Sequence, residues 1–152
     1  MMKLEEFKEF DKLKTKVLKY VLYKKRTEHE VRQKFSDIES DKLDEVIENL
    51  KEYGYINDSE YIERAISEFM ALKNLSLKEV KYKLYAKGIE RDILESYFSS
   101  NFESLKEYEI KSAHNLFIKK NNSMEKQEII EYLLKKGYNI QNINEAIDNI
   151  SE

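Results

Sequence analysis

A register that returns every 49 residues constrains this chain more than any other feature. Thr27, Ser76 and Glu125 are spaced by that interval, and so are Glu30, Glu79 and Glu128. Val31, Val80 and Ile129 follow it, then Phe35, Leu84 and Leu133. Between the second and third copies the match extends to Gly88 with Gly137, Ile89 with Tyr138, and Leu94 with Ile143. Further upstream the interval is 48, linking Val17, Ala65 and Ala113, then Val21, Phe69 and Phe117. Within each copy the apolar residues recur at helical spacing in three runs, so one repeat is three helices. A unit of that size cannot bury its apolar faces alone, and neighbours must stack to do so. The expected fold is therefore all-α, an elongated, curved array of three tandem three-helix repeats. The expected segments are 1–54 (an N-terminal extension and the first repeat), 55–101 and 102–152.

Local signals mark where the helices begin and end. Leu13, Val17, Tyr20 and Val21 form the first clear stripe, which closes in Lys24-Lys25-Arg26. Cations suit the negative end of a helix dipole. Thr27 stands three residues before Glu30, and Ser76 three before Glu79, the spacing of a capping box. Asp41 and Asp58 are expected to cap the two helices that follow them. Those helices carry the stripes Leu43, Val46, Ile47, Leu50, Tyr53 and Tyr61, Ile62, Ala65, Ile66, Phe69, Met70. Gly54 closes a third helix, whereas Gly88 and Gly137 close second helices. The 34 residues from Gly54 to Gly88 match the tetratricopeptide length, but the next glycine lies 49 further on. The two-helix pattern fails there.

Few groups for chemistry are available. The chain has no Cys, which excludes disulfides, thiolate metal sites and a thiol nucleophile. His29 and His114 are 85 residues apart, and His29-Glu30 is followed by Gln33 where a zinc-protease helix needs its second His. No Glu-x-x-His pair and no Gly-rich phosphate loop occurs. Glu30, Glu79 and Glu128 could be imagined as a ligand set, but the first two read far more readily as capping residues. No catalysis, no metal and no cofactor are expected. Residues 1–10 carry three acids and no apolar run, unlike a signal peptide, and nothing approaches the ~18 apolar residues of a membrane span. The expected compartment is the cytoplasm, with no membrane contact.

Lys and Arg number 27 against 30 Asp and Glu, a net charge of −3, so global charge does not point to nucleic acid. Locally the cations gather. One set ends the first helices (Lys24, Lys25 and Arg26; Lys73; Lys119 and Lys120), and another marks the second helices (Arg32 and Lys34; Lys81, Lys83 and Lys87; Lys135 and Lys136). In a repeat stack, equivalent positions fall along one surface, and these clusters would form a discontinuous stripe able to follow phosphates. Cations that simply offset helix dipoles on a solvated face would look the same. Tyr20, Tyr23, Tyr82, Tyr85 and Tyr132 sit less securely inward, and aromatic rings beside cations can stack on bases.

Five motifs in series carry a resemblance to a known family. Arg26-Thr27 with Glu30-Val31 and Lys34-Phe35 is the first, and Gly54-Tyr55-Ile56-Asn57-Asp58 with Tyr61 and Ala65 the second. Glu79-Val80, Lys83-Leu84 and Lys87-Gly88-Ile89 form the third; Ala113, Leu116 and Lys119-Lys120 the fourth; Tyr132-Leu133 with Lys136-Gly137-Tyr138 the last. In order and spacing these resemble the RecX regulatory proteins over residues 12 to 150. The resemblance implies a monomeric, non-enzymatic modulator of the RecA recombinase. Such a protein would bind the RecA filament on single-stranded DNA, inhibit its ATP hydrolysis and strand exchange, and so act on DNA repair, recombination and the SOS response. Direct DNA contact is implied for some members. On this reading Lys24, Lys25, Arg26, Arg32, Lys73, Lys81, Lys87, Lys119, Lys120, Lys135 and Lys136 are the candidate filament or DNA contacts. The alternative is a helical nucleic-acid-binding module that acts without a recombinase.

Overall fold

A computed structural model describes residues 3–151, without the side chain of Ser151; Met1, Met2 and Glu152, at the ends of the first and third expected segments, lie outside the described residues. Among the described residues there are nine α-helices and no strand. Contacts divide the chain into two units, one running to Tyr61 with Lys87–Ile89 joined to it, the other comprising Ile62–Ala86 and the chain from Glu90 onward.

The first unit holds α1 (Leu4–Tyr23), α2 (Glu28–Lys34) and α3 (Ser40–Glu52). Its core is Val17, Val21, Val31, Leu43, Val46, Ile47, Leu50 and Ile56. Each such side chain contributes about 1.5–3 kcal/mol when fully buried, and conformational entropy offsets most of the total. The capping box at Thr27 is present: its Oγ1 accepts the Glu30 amide at 3.1 Å, and Glu30 Oε1 accepts the Thr27 amide at 3.1 Å. α3 ends at Gly54, whose φ of +78° a side-chain-bearing residue would resist. The Tyr55 amide then reaches back to the Leu50 carbonyl at 2.9 Å.

Three local expectations shift here. Tyr53 extends the spacing of the α3 stripe yet is 68% exposed, because it is the C-cap and its backbone has already left the helix. Its ring instead lies beneath Lys14. Asp41 falls inside the first turn of α3, and Glu39 is the N-cap, so Asp41 acts only through its charge at the positive end of the helix. α4 (Asp58–Leu72) is capped one residue earlier than expected, Asn57 Oδ1 accepting the Glu60 amide at 3.1 Å.

The second unit holds most of α4 with α5 (Leu77–Ala86), α6 (Arg91–Ser100), α7 (Phe102–Lys120), α8 (Lys126–Lys136) and α9 (Ile140–Ser151). α7 packs most extensively on α9. Ala113, Leu116 and Phe117 from α7 meet Ile129 and Leu133 from α8, Tyr138, and Ile143, Ala146 and Ile147 from α9. Ser76 forms the second capping box with Glu79, at 3.0 and 3.1 Å. No helix among the described residues is long and apolar enough to cross a membrane.

Candidate functional site

The helix caps that the repeat spacing picks out do more than cap. In the first unit the wholly buried Thr27 donates its hydroxyl to the Lys87 carbonyl at 2.7 Å, and Lys87 Nζ stands 3.8 Å from Glu30. In the second unit the wholly buried Ser76 donates to the Lys136 carbonyl at 2.8 Å, and Lys136 Nζ stands 3.3 Å from Glu79. Every partner in the second set is 49 residues beyond its counterpart in the first. In the second unit one hydroxyl thus ends two helices at once: Ser76 Oγ accepts from the first turn of α5 and donates to the last residue of α8. Glu125 takes this position in the third copy and makes no side-chain cap bond.

A carboxylate completes each arrangement. Asp58 Oδ1 accepts the amide of Glu28, the first residue of α2, at 3.0 Å. Glu109, only 2% exposed, does the same for Leu77 at 2.8 Å and also accepts from the Asn139 amide at 2.8 Å and Asn142 Nδ2 at 2.9 Å. It ties the N-terminus of α5 to that of α9. Beside it Tyr108 donates to the Leu75 carbonyl at 2.6 Å, and Ser112 bonds the Tyr138 hydroxyl at 2.6 Å. Burial pushes both tyrosine hydroxyls above their ordinary pKa, which keeps them neutral. These buried polar groups are consumed by structure.

The candidate contact residues divide by what they touch. Five are paired: Lys25 with Glu60 at 3.4 Å, Arg32 with Glu28 and Asp44, Lys81 with Glu95 at 3.1 Å, and Lys87 and Lys136 as above. Arg32 is the most firmly held, its pKa raised by the bond to Asp44 against burial, with Glu28 adding to it. The other six meet no carboxylate among the described residues. Lys24, Lys119 and Lys135 are exposed. Lys73 is exposed in a left-handed turn with φ +50°. Arg26 lies over the Tyr20 ring at 4.2 Å, and its Nε is buried without a partner. Lys120 lies over the Tyr132 ring at 4.3 Å. The structure therefore sets Arg26 and Tyr20 together in the first unit, and Lys120 and Tyr132 together in the second.

No grouping of His, Asp and Glu among the described residues suits a metal ion. His29 is exposed and its ring lies against Gly88, where a Cβ would collide with it.

No model of a protein family matches the chain. A regulatory protein RecX of Clostridium perfringens (strain SM101) is 33% identical over 153 residues, covering 94% of this chain and 70% of the relative. The chain belongs to the RecX family. A second regulatory protein RecX, from Streptococcus agalactiae serotype V, is 32% identical over 97% of the chain, which spans only 60% of that relative's length. The crystal structure of RecX from Lactobacillus salivarius superposes with a TM-score of 0.77 at 26% identity, over 93% of this chain and 96% of the other. A further structure, of a regulatory protein RecX, agrees in fold with a TM-score of 0.74 at 21% identity. The three-helix repeat order is thus that of RecX proteins, and the relatives are regulatory proteins by name.

Sequence reasoning missed Glu109 and the second role of Thr27 and Ser76. A signal for Glu109 exists: it lies on the Leu105, Ser112, Leu116 stripe, where an acid is out of place unless it is paired.

Proposed function

We propose that this RecX-family chain is a monomeric, non-enzymatic regulator that docks on RecA filaments assembled on single-stranded DNA and restrains their ATP hydrolysis and strand exchange. Its place of action is the cytoplasm, and its effect is on DNA repair and the SOS response. Membership of the RecX family carries this reading. Of the candidate contacts, Lys24, Arg26, Lys73, Lys119, Lys120 and Lys135 are the strongest, because none of them is already neutralised by a carboxylate. An ammonium without an ion pair meets an acidic surface or a phosphate without first giving up a partner.

The test is RecA's single-strand-dependent ATP hydrolysis on preformed filaments, with this chain added well below the recombinase concentration. Inhibition at substoichiometric amounts, weakened about tenfold by joint reversal of Lys24 and Arg26 to Glu, is the expected result. No effect at equal concentrations would remove the reading.

The cation-on-ring pairs Arg26–Tyr20 and Lys120–Tyr132 support a second reading, a nucleic-acid module that stacks bases without a recombinase. It requires affinity for bare single strands that falls steeply with salt.

A further inference from the structure

We propose that a groove in the second unit, floored by Phe98 and Phe102 and rimmed by Lys78, Lys81 and Lys106, binds an acidic segment of a protein partner that inserts one aromatic or aliphatic side chain. The proposal rests on the reading that this chain works by docking on protein, and it names the chemistry of what is docked.

The groove encloses about 450 Å³, within the range of ligand sites, and Leu77, Phe98, Phe102 and Leu105 supply its apolar lining. Phe102, the first residue of α7, is 61% exposed, so its ring is accessible from the groove it lines.

The rim is cationic. Lys78 meets no carboxylate among the described residues, and its stem lies against Gly137, where an added Cβ would sit 2.9 Å from Lys78 Cβ. Lys81 stands 4.7 Å from the Phe98 ring centre and 3.1 Å from Glu95; Lys106 stands 3.6 Å from Glu145. In both pairs the lysine is the more buried member, 29% against 47% and 35% against 52% exposed. The glutamates therefore lie on the solvent side, and exposed pairs of this kind are worth little, so a partner's carboxylates can replace them. The N-termini of α5 and α9 also reach the groove, but Glu109 already holds both, so the unspent positive charge at its mouth is that of Lys78. Glu109 also lines the groove, but it is only 2% exposed and both its oxygens accept from amides, so no carboxylate oxygen is left to meet an incoming group. A nucleic-acid strand could stack a base on the phenylalanine rings, but half of the apolar lining, Leu77 and Leu105, is aliphatic and offers a base no ring to stack on. A peptide with carboxylates flanking one apolar side chain satisfies both rim and lining.

The probe is a fluorescein-labelled peptide of acidic residues around a single central Phe, titrated with the full chain by fluorescence anisotropy. Saturable binding is expected. It should weaken about tenfold for Lys78→Glu, for Phe102→Ser, and for a peptide with Ser in place of Phe. Both substituted side chains are exposed, and unchanged thermal unfolding confirms that the variants are folded. Equal binding by the Ser peptide would reduce the effect to charge attraction and overturn the proposal, as would indifference to Lys78→Glu. Loss of single-stranded oligothymidylate binding in Lys78→Glu, with peptide binding intact, would assign the rim to nucleic acid and also overturn it. Because the assay contains no recombinase, it separates the two readings. Peptide binding without any effect on RecA would remove the filament reading alone, and RecA inhibition that survives Lys78→Glu and Phe102→Ser would remove the groove alone.

Discussion

Replacing Ser76 by Ala tests whether one hydroxyl holds two helix ends together. The hydroxyl is fully buried, accepts the Glu79 amide at 3.1 Å and donates to the Lys136 carbonyl at 2.8 Å. Loss of the N-cap bond costs about 1 kcal/mol. Loss of the donor leaves the Lys136 carbonyl short of a partner in a poorly hydrated place, adding about 1–2 kcal/mol. α5 does not unravel, because Glu109 still accepts the Leu77 amide at 2.8 Å. The total is roughly 2–3 kcal/mol, which for a chain of this length lowers Tm by roughly 5–10 °C. The assay is unfolding by heat and by urea followed by circular dichroism. Ser76→Thr is the control, since Thr27 performs the same double role in the first unit; it should remain within about 0.5–1 kcal/mol of the parent. A Ser76→Ala variant as stable as the parent would refute the reasoning, and so would Ser76→Thr falling as far as Ser76→Ala.

Two further outcomes follow from buried or paired carboxylates. Glu109→Gln places an amide N–H against a backbone N–H at one of its oxygens, and it should lose about 2–3 kcal/mol in urea unfolding even though it removes a buried charge; equal stability would mean that the carboxylate's bonds are not needed. Burial works to raise the Glu28 pKa, but the bonds from Lys51 and Arg32 outweigh it and hold the carboxyl below its ordinary 4.5. Its contribution is therefore present above about pH 4.5 and lost as pH falls through the lowered folded value, so the stability difference between the parent and Glu28→Gln should shrink on acidification; a difference constant from pH 7 to pH 3 would contradict this.

How much was legible in advance depends on whether a signal was periodic or single. The caps at Thr27 and Ser76, the glycine stops and the helix order all recur at one interval, so each copy checks the others. The double role of the two hydroxyls was equally periodic, because Lys87 and Lys136 keep the same spacing from them. It escaped notice because a side chain reaching a carbonyl 60 residues away leaves no mark on composition or hydropathy. Tyr53 was misplaced for the opposite reason: the helical stripe was carried one step too far, onto the C-cap residue just before a glycine stop that had itself been correctly located. Glu109 has a counterpart in kind, but not at the repeat interval, in Asp58, which accepts the Glu28 amide from the start of α4. The acid that caps the neighbouring helix is thus kept while its position drifts by two residues from the 49-residue register. The same limit applies to the docking surface. Eleven cations are candidate contacts, yet charge periodicity cannot tell a lysine spent on Glu79 from one that meets no acid at all. Lys78, which breaks the periodic pattern, is the cation placed at the mouth of the groove in the second unit. Repetition in this sequence specifies the caps and the bonds that each capping hydroxyl makes, and the departures from repetition are where a binding surface has room to differ.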